Sequence, residues 1–385
     1  MSELLRYYAA RSVDRVVGSG AATAAIGALA VTRDDHEEVA QRVWRFGDAE
    51  AFTFDDPISP DDPPEKMARK LGRIRISRPF VAEFSDVQLV GPDAMALTGD
   101  GPLLENSVGS PEQFSLSVLR AATNGVLPVR RTAERRLDTV VSLVGPWTHG
   151  YYHWYSDYLL RLEGLRRYEA EFDVEPDVLV PPDMSTWMRQ SLELAGVDED
   201  RWRQWRGGRV DVDRLVVPSL RRETSLTADE TGFVFSPEAY RWLATQITRR
   251  VSPDTDQRNR IFISREQADA RRVTNRPALM EVLSERGFEK YVLEELSVEE
   301  QVQLFANAEY IVAPMGAGLT NMIYATDATV VTLYGSDINT CYTVLADALG
   351  FTNAFLLCEP DGLDMRVDLD KLESVLNRLE SEHHC

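Results

Sequence analysis

Residues 260–324 constrain the fold more than any other stretch: RIFISREQADARRVTNRPALMEVLSERGFEKYVLEELSVEEQVQLFANAEYIVAPMGAGLTNMIY. The apolar run 261–264 predicts a strand that ends on Arg265, with Arg271 and Arg272 just downstream. A helix is expected over 277–286, where Pro277 suits the first turn and Gly287 stops it. A short strand at 290–293 follows, and Ser297 with Glu300 has the spacing of a capping box for a helix over 298–308. The next strand, 310–313, runs into Pro314-Met315-Gly316-Ala317-Gly318, and a helix restarts near Leu319. Strands and helices that alternate in this way build a parallel sheet with right-handed crossovers.

The glycine-bearing turn lies between the end of a strand and the start of a helix. There Gly316 and Gly318 let the backbone approach an anion, while helix N-terminal N–H groups point at it. Gly-Ala-Gly alone more often only allows a tight turn, and short glycine patterns carry little specificity. Arginines at a neighbouring strand end change the balance, because guanidinium forks suit a diphosphate. Ligands of open α/β sheets gather beyond the carboxyl ends of the strands, where Arg265 and Gly316 both fall.

An α/β pattern also precedes this region, with strands expected at 139–144, 178–180 and 215–217 and a helix after Gly150. Residues 80–105 read as short antiparallel strands turned at Gly91-Pro92-Asp93 and Gly99-Asp100-Gly101. An amphipathic helix is expected over 1–17, and the acidic, proline-rich 55–65 reads as a surface loop without evident chemistry. With the boundary in the polar stretch 221–232, the chain divides into an N-terminal domain, 1–228, and a C-terminal domain, 229–385. A β-rich extension occupies about 1–135 of the first.

Composition narrows the setting. Lys and Arg total 42 against 62 acidic residues, a net charge of −20, which disfavours nonspecific nucleic-acid binding. Lysine occurs only at Lys66, Lys70, Lys290 and Lys371, so the other basic residues are arginines. Such a surface fits a protein kept soluble in high salt, or an ordinary acidic protein from a GC-rich genome. Cys341, Cys358 and Cys385 give neither metal-ligand spacing nor a disulfide framework, which points to a reducing compartment. The small-residue segment 16–31 is too short for a membrane span and lacks a basic leader, so a cytosolic protein is expected. The tail His383-His384-Cys385 reads as a frayed end rather than a metal site.

His153 and Asp157 are four apart and share one face of a helix. A carboxylate there can serve as a general base, with His153 orienting a substrate and His149 and Tyr152 beside it. An isolated pair of this spacing just as often only ties down a helix end. His36, between Asp35 and Glu37, reads as a solvated surface residue. Asp211-Val212-Asp213 has the spacing of a metal motif but precedes a strand, and reads as surface charge.

The segment 260–324 resembles the C-terminal half of glycosyltransferase family 61. The resemblance rests on Arg260, Ser264, Arg265, Arg272, Val273, Asn275, Gly287, Phe288, Ser297, Glu300, Gln301, Phe305, Ala308, Ile311, Val312 and the run GAGLTN at 316–321. A second match, YHWYSDYLLRL at 152–162, lies upstream in the expected order, so the resemblance covers about 140–357. It departs at Met315, where the family usually has His, and at Arg276, where an acidic residue is usual. Methionine cannot donate a hydrogen bond, so no equivalent role survives at 315.

The resemblance implies a GT-B-like α/β fold, two Rossmann-like domains facing a cleft, and an inverting glycosyltransferase that needs neither metal nor cofactor. The nucleotide-sugar donor would be held by Arg265, Arg272, Gly316, Ala317, Gly318, Thr320 and Asn321. Asp157, ahead of His153, would activate a glycan or lipid-linked glycan acceptor, with peripheral membrane contact through that acceptor. Surface-polysaccharide assembly or protein glycosylation is the implied setting. A second reading, motivated by Met315 and Arg276, is a noncatalytic nucleotide-sugar-binding or scaffold protein. A sugar epimerase or dehydrogenase would need a Gly-x-Gly-x-x-Gly turn near Val144, and none is present.

Overall fold

The computed structural model describes residues 27–382 apart from 108, 110, 127, 134, 223–233 and 256. The helix expected over 1–17 and the tail 383–385 lie outside the described residues. Two compact units result: Met1–Glu50 with Ile76–Thr224, and Ala51–Arg75 with Ser225–Cys385. Both are mixed α/β structures containing parallel strands. Among the described residues no helix is long and apolar enough to cross a membrane.

The sheet of the first unit runs in the order Arg42–Arg45, Phe80–Val90, Arg209–Pro218, Arg135–Ser142, Asp177–Val180, Trp202–Gln204. Pairing is antiparallel as far as Arg209–Pro218 and parallel beyond it. Met95–Leu97 folds back on Phe80–Val90 as a hairpin. The strands expected at 80–105 therefore belong to the same sheet as the α/β strands. Trp202–Gln204 carries no alternation in sequence and was not expected. Asp211 and Asp213 lie inside the Arg209–Pro218 strand, where Gln88 donates to Asp211 and Arg136 pairs with Asp213.

The Arg161–Phe172 helix packs Tyr168 against Val81 and Val216. Gly164 permits the approach, since a Cβ there would come within 2.9 Å of the Pro218 Cβ. His36 is a correction: it is only 1% exposed, and its ring meets Phe80 and Phe84 edge-on at 5.2 Å. Flanking acidic residues suggested solvent, but burial of the short His36–Val39 helix depends on what packs over it.

The second unit holds a five-stranded sheet in the order Phe288–Tyr291, Asn259–Ile263, Ala308–Pro314, Thr329–Tyr334, Thr352–Leu357, with every neighbouring pair parallel. The strands are nearly continuous apolar runs, as expected where both faces are covered. Phe262, Val312, Leu333 and Leu356 face Leu279, Leu283, Leu372 and Leu376 in one core. Ser297 and Glu300 do form the capping box, each reaching the other's backbone N–H. The helix expected near Leu319 is instead a 3₁₀ segment, Ala317–Tyr324.

Residues 51–75 join this second unit. Ile58 bridges Ala354 beside the outermost strand, with its N–H 2.9 Å from the Asn353 carbonyl. The Asp61 carboxylate accepts from the Leu357 N–H at 3.0 Å and pairs with Lys371. Lys70 reaches Thr340 Oγ1 at 2.7 Å. The acidic loop 55–65 thus edges a sheet built almost 300 residues later, since the Asp61 to Leu357 bond spans 296 positions.

Candidate active site

In the first unit the candidate residues lie where the helix begun at Tyr151–His153 widens into a π-helical turn, Trp154–Leu159, before Arg161–Phe172. Such widened turns recur at functional sites because they re-aim side chains without ending the helix. His153 Nδ1 lies 2.8 Å from Asp157 Oδ2. Trp147 stacks on the His153 ring at 5.6 Å and Tyr152 meets it edge-on at 5.5 Å, so the imidazole is fixed from three sides.

Asp157 is 1% exposed, whereas the His153 side chain is 24% exposed. The other Asp157 oxygen faces Arg222 Nη1 at 3.3 Å. Burial by itself would raise this carboxyl, but Arg222, the His153 hydrogen bond and Arg161 outweigh it and hold it below the usual carboxylate range. Arg161, itself buried, donates to the carbonyls of Asp157, Asn106 and Ser107 at 2.8, 3.0 and 2.7 Å. Asp157 is therefore a buried carboxylate, favoured in its charged form, that orients an imidazole, the division of labour found in nucleophile-activating triads. Sequence spacing shows the pair but not Arg222, which lies 65 positions away and carries no local signal.

In the second unit the carboxyl end of the Asn259–Ile263 strand delivers Arg265, and that of Ala308–Pro314 delivers the Gly316 turn. These two meet. A Cβ on Gly316 would run into the Arg265 guanidinium, so the glycine lets that side chain seat against the turn, and its backbone, extended at φ 178°, does not call for glycine. Gly318 likewise makes room for Leu293, whose Cδ1 would lie 2.7 Å from an added Cβ. Arg265 Nε donates to the Ala270 carbonyl at 3.3 Å, and burial together with the neighbouring Arg271 charge pulls its guanidinium down to about 10.

The other expected residues take buried, partly exposed or ion-paired positions. Asn321 is fully buried and donates to Gln301 Oε1 at 2.7 Å, while Gln301 donates to the carbonyls of Leu293 and Leu296. Asn321 thereby ties the turn to the Val298–Ala306 helix. Thr320 is buried with its hydroxyl unpaired among the described residues. Ala317 is partly exposed on the turn. Arg272 is not brought to the turn's arginine: its guanidinium grips Asp364 at 2.7 and 3.0 Å and is 49% exposed. Arg276 pairs with Glu266 at 2.7 Å.

Sequence reasoning missed two groups here. Arg271 Nη1 lies 3.0 Å from the buried Met315 Sδ. Lys70 arrives from residues 51–75 at Thr340, which directly precedes the Cys341–Leu349 helix. Arg271 was visible as part of an arginine cluster; Lys70 had no signal at all.

Comparison with known proteins follows this geometry. Residues 151–332 match the family model described as Glycosyltransferase 61, a stretch that opens at the helix bearing His153 and contains every predicted site residue. No curated protein matches the chain. Residues 151–332 are accordingly similar to glycosyltransferase 61, which supports a sugar-transferring activity in general terms.

Proposed function

We propose that the chain transfers a sugar from a nucleotide-sugar, held by the second unit, to a hydroxyl of a glycan or lipid-linked glycan served by the first. The observation that carries this reading is the Arg265 guanidinium seated against the Gly316 turn, at the carboxyl end of a parallel sheet and inside the family match. A diphosphate bound there accepts charge-assisted hydrogen bonds from Arg265 and backbone N–H groups from the turn. The proposal keeps the GT-B class for the fold.

His153 acts as the base and Asp157 as its positioning residue, because the partly exposed imidazole can meet an acceptor and the buried carboxylate cannot. As the acceptor oxygen attacks the anomeric carbon, His153 takes its proton, the anomeric C–O bond to phosphate breaks, and the nucleoside diphosphate leaves with that electron pair. A single displacement of this kind inverts the anomeric centre. The charge on the departing diphosphate is met by guanidinium groups, and one lost donor of this type typically costs about a hundred- to a thousandfold in rate. The proposal assigns no step to a metal or cofactor, and activity abolished by chelation would overturn that part. It places the enzyme in the cytosol, at the inner membrane face when the acceptor is lipid-linked, and at high salt; good folding and activity without added salt would count against the last.

The test is a thermal-shift screen of nucleotides and nucleotide-sugars with wild type and Arg265→Ala, followed by transfer assays with the donor that binds. A shift for one nucleotide-sugar that Arg265→Ala abolishes, with turnover lost in the same variant, is expected. Near-normal turnover by Arg265→Ala refutes its role. Binding without transfer to any acceptor would mark a noncatalytic nucleotide-sugar-binding protein instead.

A further inference from the structure

Arg271 is held in an unusual way. Its φ is +61°, in the left-handed region that side chains with a Cβ seldom occupy, and its N–H donates to the Leu363 carbonyl at 2.8 Å. A residue kept in such a conformation by its surroundings is a reasonable place to look for function. This bend separates the two successive arginines: Arg272 goes to Asp364, and Arg271 goes to the sulfur of Met315.

Arg271 and Arg265 then share one neighbourhood in which Glu294 and Asp364 act on Arg265 only from beyond ion-pair distance. Neither guanidinium makes an ion pair among the described residues, although the chain carries 62 acidic side chains and most of its ion-paired arginines have a carboxylate within 3.4 Å. Arg265 has a backbone carbonyl and Arg271 a thioether, both neutral acceptors. A thioether can position a guanidinium without cancelling its charge, which a carboxylate at 315 would do. Two adjacent like charges, partly desolvated, are unfavourable until an anion lies between them. Burial first, and then the Arg271 charge, lower the Arg265 guanidinium. Beside both lies the buried Tyr342, whose hydroxyl is kept protonated by burial.

We infer that Arg271, and not Arg272, is the second cation of the diphosphate site, so that Arg265 and Arg271 each take a phosphoryl group of a nucleoside diphosphate. The inference rests on the reading of the second unit as the nucleotide-sugar-binding unit. Met315 is then a positioning residue, holding Arg271 toward the ligand while leaving its charge uncompensated.

Titration calorimetry of the full chain tests this with inorganic pyrophosphate, nucleoside diphosphates and the nucleotide-sugar chosen by the screen above. The variants are Arg271→Ala, Arg271→Lys, Arg271→Gly and Arg272→Ala. Glycine relieves the left-handed backbone while removing the side chain, so Arg271→Gly keeps the test valid should the alanine variant fold poorly. Loss of the Arg271 side chain is expected to weaken pyrophosphate and diphosphate binding about tenfold to a hundredfold, the range of a charged hydrogen bond. Lysine at 271 should restore part of it, and Arg272→Ala should stay within about threefold of wild type. Unchanged binding by Arg271→Gly, or an equal loss in Arg272→Ala, overturns the inference while leaving the donor reading intact. Pyrophosphate binding that depends on Arg271, with no nucleotide-sugar bound, upholds the clamp and removes the donor reading. Wild type that binds none of these ligands removes both.

Discussion

Replacing Lys70 with methionine should make the protein more stable at neutral pH, and the gain should fade as the pH rises. Burial pushes the Lys70 ammonium down from 10.5 to about 8. The unfolded chain keeps the ordinary value, so below pH 8 folding must retain a proton in a site that disfavours it. At about 1.4 kcal/mol per unit of difference, the cost at pH 7 is about 3 kcal/mol. Above pH 8 the folded state releases the proton while the unfolded state still binds it. Stability therefore rises with pH until the unfolded lysine also titrates, and at pH 9.5 the cost has fallen to about 1.4 kcal/mol. Methionine fills the stem's volume but forfeits the bond to Thr340, worth about 1 kcal/mol. The net gain is then about 2 kcal/mol at pH 7 and close to zero at pH 9.5. Urea unfolding of both proteins at the two pH values, followed by circular dichroism, measures it. A variant less stable at pH 7, or a difference that does not change with pH, would refute a desolvated ammonium at this position.

Three further outcomes are expected. Burial lowers the His36 imidazole below its usual 6.5, with the nearby Arg33 charge acting the same way and Glu105 opposing; both ring nitrogens lack a partner among the described residues. A neutral buried histidine loses stability as pH falls through the unfolded value, so His36→Phe should flatten the drop in melting temperature between pH 7 and pH 5; an unchanged drop would exclude His36 as its source. Arg161→Met leaves three buried carbonyls without their donor and removes a neighbouring positive charge from Asp157, and should cost about 3 kcal/mol or more in chemical denaturation, against less than 1 kcal/mol if the cluster relaxes. Gly316→Ala displaces the Arg265 guanidinium, so nucleotide affinity should collapse while the ligand-free melting temperature moves by only a few degrees; normal affinity would show that the arginine can seat elsewhere.

Local chemistry made much of the second unit legible. Gly287 at φ +79°, Pro277 in the first helical turn and the Ser297–Glu300 box each act within a few residues, so their elements appear within about three positions of where they were expected. Nearly continuous apolar strands alternating with helices left a parallel sheet as the economical solution. His153 and Asp157 were also readable as a pair, because four positions on a helix always share a face. The sequence by itself therefore determined most elements of the second unit, its parallel pairing and the candidate residue types. Only the tertiary structure decided which arginine faces the Gly316 turn, that Arg222 closes on Asp157, that His36 is interior, and that residues 51–75 edge a sheet formed by the far end of the chain. Those outcomes depend on partners many tens to hundreds of positions apart, and local propensity contains no information about which distant charge or surface a side chain will meet.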